Sequence, residues 1–313
     1  MNQSLHDLPP TTSRDVAEHS SRTALVLGGG GSTGNAWLIG VIAGLFDAGL
    51  DVTTADLTIG TSAGSTAAAQ LAGATPAELF AAILAAAPLQ PADPVGTDRG
   101  RASARPVMEH LERMNTIIAA SDDQADLRRR LGSAALDIDA ASDGSWHARW
   151  SATVASRLPD AQWPQRRILV TAIDAGTGEP VVFGSHSGVD LVDAVAASCA
   201  SGHPFRIGDH LYLDGGFRSN AENADLAAGY ARVLVLAPFG GRTLTPASWG
   251  THLATQIAEL RASGSGVETI FPAASIEHLF GANAMDYSLR PAAARAGYDE
   301  GSTRAARLAE FWR

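Results

Sequence analysis

The sequence contains no lysine. All 23 of its basic residues are arginine, set against 33 Asp and Glu, for a formal net charge of -10 over 313 residues. A chain without lysine has no P-loop lysine, no Schiff-base lysine and no Ser-Lys dyad. An acidic chain without long basic blocks is also unsuited to nucleic acid and to electrostatic anchoring on anionic lipid. Cysteine is nearly absent. Cys199 alone cannot close an internal disulfide, so the fold does not depend on an oxidising compartment. Long hydrophobic runs are missing too: the longest near-apolar stretch, Leu79 to Leu89, falls short of the roughly 20 residues that span a bilayer. Residues 1–22 lack the apolar segment of a secretion signal and read as a loose polar arm. These absences lead to the expectation of a cytoplasmic protein, peripheral to membranes at most. What is abundant is alanine (59 residues) and glycine (32), with 45% hydrophobic content, enough for a core.

Beyond the arm the chain alternates. A short apolar run, Thr23 to Leu27, leads into a glycine-rich turn and then a mostly apolar helix from Trp37 to Phe46. A second strand, Leu57 to Ile59, leads into another glycine turn and an alanine-rich helix to about Ala72. Pro76 suits the first position of the next helix, with Thr75 as its cap. Alternating strand and helix predicts an α/β fold with a parallel sheet. Residues 88–160 break the pattern with a proline-rich loop (Pro88 to Gly96) and helical periods at Val107–Ile118, Asp123–Leu131 and Trp146–Leu158. They read as a helical insertion covering the sheet, with Asp122-Asp123 and Arg128-Arg129-Arg130 on solvated faces. The sheet resumes at Arg167–Asp174 and Pro180–Phe183, joined by a turn at Gly176–Glu179. A helix at Leu191–Ala200, a loop, and strands at Leu211–Asp214, Val233–Ala237 and Val267–Phe271 follow. Pro291 opens a last helix. The expected organisation is one domain over residues 23–313.

Two glycine motifs carry the chemistry. Gly29-x-Gly31-x-x-Gly34 fits a phosphate cradle for a nucleotide, an oxyanion hole of backbone amides, or a plain tight turn. In a dinucleotide-binding unit the next strand ends in an acid that binds the ribose; here it ends in Ile59-Gly60-Thr61-Ser62, which argues against NAD. Gly60-x-Ser62-x-Gly64 lies between a strand and a helix, the context of a nucleophile elbow, where the following helix aims its N-terminal dipole at the serine. A serine nucleophile needs a base. The late histidines, His252 and His278, sit in helical patterns and do not suit a triad. Asp214 ends an apolar strand and precedes Gly215-Gly216. Desolvation there would raise its pKa towards that of a base, while a turn aspartate is the plain alternative.

Gly28 to Gly30 with Gly34, then Gly60-Thr61-Ser62-Ala63-Gly64, then Asp214-Gly215-Gly216 make an ordered set that resembles the patatin-like phospholipase family. Ala197-Ser198, Pro204-Phe205 and Asn220 fit the same pattern. The resemblance runs over about residues 23–240. It implies a three-layer α/β sandwich with a central mixed, mostly parallel sheet. It also implies a Ser62-Asp214 dyad without histidine, an oxyanion hole from the amides of Gly29, Gly30 and Gly31, and hydrolysis of lipid acyl esters without metal or cofactor. One departure stands out: the family carries Arg or Lys where this chain has Thr33. With the acidic balance, that shifts the expectation towards a soluble esterase or lipase making transient contact with membranes or micelles. An acyltransferase using the same dyad, and a non-catalytic nucleotide-binding module, are the alternatives. Cys199 reads as a buried spacer, and Trp37 and Phe205 as core. His203 lies near the site, and His186, His203 and His210 lack metal-ligand spacing. Oligomeric state has no signature in the sequence.

Overall fold

A computed structural model describes residues 22–86 and 112–313. The expected arm, apart from Arg22, and the Pro88–Gly96 loop lie outside the described residues. Among these residues, eight strands form one sheet: β1 (Thr23–Leu27), β2 (Leu57–Gly60), β3 (Ile168–Asp174), β4 (Pro180–Phe183), β5 (Phe205–Ile207), β6 (His210–Asp214), β7 (Arg232–Leu236) and β8 (Gly266–Ile270). Their order is β5-β6-β3-β2-β1-β7-β8, with β4 also on β3. The run β3-β2-β1-β7-β8 is parallel; β4, β5 and β6 pair antiparallel.

Period-two alternation makes this a three-layer structure. Leu25 and Leu27 of β1 point to one face, Ala24 and Val26 to the other. The first face is covered by α1 (Gly31–Asp47), α2 (Ala63–Gly73), α6 (Leu191–Ser198) and α8 (Arg290–Trp312). Helices α1 and α8 touch almost backbone to backbone: a Cβ on Gly40 would lie 2.1 Å from Ala294 O, and one on Gly297 2.3 Å from Trp37 O. The second face is covered by α7 (Leu253–Ala262). Between α2 and the insertion, α3 (Pro76–Ala85) starts with Thr75 and Glu78 in a full capping box.

The insertion contributes helical residues 112–119, α4 (Gln124–Ala140) and α5 (Ser145–Ala155). Leu127, Leu131 and Ala135 of α4 pack on Ile173, Leu211 and Leu213, so α4 extends the second face over β3 and β6, as expected for a cover. Arg128 departs from the solvated face expected of it. It turns inward and donates to the carbonyls of Gly178 (2.8 Å) and Arg218 (3.0 Å). Strand β5 falls in a stretch expected as loop; three residues carry too little period to mark a strand, and it forms because β6 pairs with it across Gly208.

The register of β3 has a functional consequence. Val170 lies opposite Gly60 of β2 and Phe183 of β4, and Ala172 opposite Asp214 of β6 and Val181 of β4. Strand β4 therefore holds one edge of β3, while β2 and β6 share the other end to end. Only Thr171 separates the place where β2 stops from the place where β6 stops. Residues 62 and 214, far apart in sequence, are thereby brought together.

Candidate active site

Ser62 sits in the turn between β2 and α2 with φ 52° and ψ -117°. For a non-glycine residue that backbone costs about 1–3 kcal/mol and persists only when its surroundings enforce it. Gly64 and Gly60 supply the enforcement. A Cβ on Gly64 would lie 1.8 Å from Leu27 O, and one on Gly60 2.6 Å from the Ser65 Cα, so α2 rests directly on β1 and the turn has no slack. The end of α6 grips the same peptide from the other side. Ser62 N–H donates to Ser198 Oγ (2.9 Å), and Ser62 C=O accepts from Cys199 Sγ (3.2 Å) and Ser65 Oγ (2.7 Å). Cys199 thus does more than fill space. Burial raises its thiol pKa to about 11, which keeps it protonated and able to donate.

Asp214 is buried (6% exposed). Its Oδ1 accepts the Gly216 N–H at 2.8 Å. Burial raises its pKa to about 6, with the Gly216 N–H and the nearby Ser62 side chain acting in the opposite direction. The group is therefore mostly ionised at neutral pH, yet basic enough to take a proton. A Cβ on Gly215 would meet Thr171 Oγ1 at 2.1 Å, which explains why glycine must follow the aspartate.

A buried polar network, not foreseen from the sequence, surrounds the pair. Asn223, fully buried with φ 56°, donates from Nδ2 to Thr61 Oγ1 (3.0 Å) and Gly215 O (2.9 Å). Thr61 and Thr171 share a hydroxyl hydrogen bond of 2.8 Å. Asn220 Oδ1 accepts from the N–H groups of Glu222 (2.9 Å) and Asn223 (2.7 Å). Short-range sequence patterns carry no trace of contacts between Thr61, Thr171 and Asn223. The one available signal is that asparagine tolerates left-handed backbone better than other non-glycine residues.

The glycine loop lies against Ser62: a Cβ on Gly29 would stand 3.5 Å from Ser62 Cβ. Its amides are not equivalent. Gly28 N–H donates to Leu236 O (3.0 Å) and Gly29 N–H to Ala221 O (2.8 Å). The amides of Gly30 and Gly31 have no acceptor among the described residues, as expected where α1 begins. Of the three amides expected to face an oxyanion, that of Gly29 is thus already engaged. Gly34 N–H closes the first turn on Gly30 O (2.9 Å).

His252 stands at the N-terminal boundary of α7 with its ring on Thr245 O (2.9 Å), and His278 is exposed. His203 stacks on Trp146 at 5.5 Å between ring centroids. Trp37 and Phe205 are core, with Trp37 Nε1 donating to Glu300 (2.9 Å). Thr33 is buried against Ala284 O. Glu222 is a surprise: it is 1% exposed, both its carboxyl oxygens lack partners among the described residues, and burial raises its pKa to about 8. Among the described residues no group of three or more His, Cys, Asp or Glu could hold a metal, and no single helix is long and apolar enough to cross a membrane.

A family profile described as patatin-like phospholipase matches residues 25–226. No curated protein sequence matches the chain. Among solved structures, the crystal structure of VipD from Legionella pneumophila is similar, at 13% identity and a TM-score of 0.43, covering 92% of this chain and 67% of that one.

Proposed function

The chain belongs to the patatin-like phospholipase family, and from that premise we propose that it is a serine acyl hydrolase cleaving lipid esters through Ser62 and Asp214. Ser62 Oγ attacks the ester carbonyl carbon while Asp214 takes the hydroxyl proton. The oxyanion of the tetrahedral intermediate is held by the amides of Gly30 and Gly31, with Gly29 shaping the loop. The intermediate collapses, the C–O bond to the alcohol breaks, and Asp214 returns the proton to the departing alkoxide. Water then attacks the acyl-enzyme, giving its proton to Asp214. The carboxylic acid leaves, and Ser62 recovers its proton. No histidine is needed, since burial alone brings the carboxylate near the working pH.

The observation that carries this reading is the contact between the strained Ser62 and the desolvated Asp214, with the glycine loop against the same serine. The test is direct. Ser62→Ala should abolish both labelling by a fluorophosphonate probe and cleavage of 4-nitrophenyl butyrate. Asp214→Asn should lose cleavage while keeping the native circular dichroism spectrum. Full activity in Ser62→Ala would overturn the assignment. Acyl transfer to added alcohols at the expense of acid formation would convert hydrolase to acyltransferase.

A further inference from the structure

Two carboxyl groups are buried in the loop region that begins at Asp214, and the proposed reaction uses only the first. The second, Glu222, is 1% exposed, so no substrate reaches it, and neither of its oxygens has a partner among the described residues. Its side chain packs against the glycine loop. A Cβ on Gly28 would lie 3.1 Å from Glu222 Cγ, 3.2 Å from Leu236 O and 3.4 Å from Pro238 Cδ. The backbone on either side of Glu222 is tied to both halves of the proposed active site. Ala221 C=O accepts the Gly29 N–H (2.8 Å), and a Cβ on Gly29 would stand 3.5 Å from Ser62 Cβ. Asn223 Nδ2 donates to Thr61 Oγ1 (3.0 Å) beside Ser62 and to Gly215 O (2.9 Å) beside Asp214. Asn220 Oδ1 accepts the N–H groups of Glu222 (2.9 Å) and Asn223 (2.7 Å), which ties residues 220–223 into one turn.

A carboxylic acid fits this place and a carboxylate does not. Without a partner, the charged form is far costlier to bury than the neutral one. No cation stands ready to receive the charge. Strand β1, the glycine loop and residues 233–241 carry no titratable side chain. Arg232 begins β7 and Asp47 ends α1, each at the end of its element away from Gly28. In the loop itself Arg218 pairs with Asp225, and Asp214 is another acid. On the far side of Asn220, His252 holds Thr245 O, and Glu259 and Arg261 of α7 are exposed. A charge on Glu222 is therefore relieved by water, and water reaches it only when residues 220–223 part from the glycine loop. That parting breaks the bond between Gly29 and Ala221. We infer that Glu222 is a positioning residue: its neutral carboxyl lets residues 220–223 seat the glycine loop beside Ser62, and its ionisation unseats the loop and stops ester cleavage in alkaline solution. The inference rests on the hydrolase reading and adds to it a controlling group outside the dyad. Cys199 also holds the Ser62 turn, but its thiol, with a pKa of about 11, titrates at higher pH.

The experiment measures kcat/KM for 4-nitrophenyl butyrate at pH 7 and pH 9, with spontaneous hydrolysis subtracted and each protein compared with itself. Burial raises the Glu222 pKa to about 8, so the wild-type value should fall about tenfold between the two, through kcat. The circular dichroism spectrum should stay native, and activity should return at pH 7. Glu222→Gln, which cannot ionise, should fall by less than about twofold. Glu222→Met serves the same purpose if the glutamine variant does not fold. Hydrogen exchange read by mass spectrometry follows the loop directly. At pH 9, peptides covering residues 26–36 and 217–226 should exchange about tenfold faster in the wild type than in Glu222→Gln, and at pH 7 equally fast. A wild-type rate unchanged from pH 7 to pH 9, or an equal fall in the variants, overturns the role of Glu222 while leaving the hydrolase standing. Failure to cleave any ester overturns the hydrolase, and hydrogen exchange alone then decides whether Glu222 seats the loop.

Discussion

The Ser62 turn and the loop that follows Asp214 meet within one site but differ in what chiefly holds them, close backbone packing in the first and side-chain hydrogen bonds in the second. Gly60-Thr61-Ser62-Ala63-Gly64 has no charged residue, and close backbone contacts shape it: glycine is required where α2 touches β1. Residues 215–228 are shaped by hydrogen bonds among Asn220, Asn223, Arg218, Asp225 and Gln256. Each region contains one of the two non-glycine residues at positive φ among the described residues, Ser62 and Asn223. A strained residue can thus be enforced by a steric wall or by satisfied polar partners. The two fail differently: the first through overlap, the second through groups left without partners.

The steric side should break hardest. Gly64→Ala would put a methyl group into Leu27 O, and a loss of about 3 kcal/mol is expected in urea denaturation with an unchanged m-value. On the Asp214 side the largest effect is on rate. As the proposed base, Asp214 must be ionised, and its pKa is raised to about 6, so kcat/KM should rise about tenfold per pH unit below 6 and level off above it. A profile flat down to pH 4 would remove Asp214 as the base.

Asn223→Ala removes the amide donor shared by Thr61, Thr171 and Gly215 O and should cost about 2 kcal/mol. Asn223→Gly sharpens the contrast. It relieves the positive φ but not the missing donor, so it should remain destabilised. Full recovery of stability would show that this loop, too, is governed by backbone sterics.

Glu222 tests the polar side through pH. Its folded pKa, about 8, lies above the ordinary value of 4.5, so the folded state holds its proton longer than the unfolded chain. Stability from this group is full below about 4.5 and is lost as pH rises through 8. The Tm of the wild-type protein should therefore fall between pH 6 and 9 more steeply than that of Glu222→Gln. Equal slopes would mean that the carboxyl reaches solvent. The smallest effect is expected at Cys199. Cys199→Ala removes one donor to Ser62 C=O for about 1 kcal/mol, and Cys199→Ser restores most of it. With a thiol pKa of about 11, native Cys199 should resist iodoacetamide at pH 8, as mass spectrometry can show.

The strands that build the parallel sheet are mostly apolar runs, β1 and β2 ended by glycine, and their places are close to those expected: β2 ends at Gly60 against an expected Ile59, and β8 at Ile270 against Phe271. Ser62 and Asp214 were visible as candidates because each lies at a strand end beside glycine. Their partners were not. Thr171, Ser198 and Asn223 come from separate elements, and nothing in the few residues around each marks what it touches. The pairing of β3 with both β2 and β6 is likewise non-local, and without it the base and turn readings of Asp214 were separated only by the resemblance.

Local chemistry was therefore legible from the chain alone: the absence of lysine chemistry, the alternation of strand and helix, the glycines that permit tight turns, and two candidate catalytic side chains. These depend on neighbours a few residues apart, and composition and spacing record them. The contact of residues 62 and 214, the engagement of Gly29 by Ala221, and the burial that lifts Asp214 to about 6 and Glu222 to about 8 emerged only once the chain had folded. Each depends on which surfaces lose water together, and folding decides that across distances in sequence that no local pattern spans.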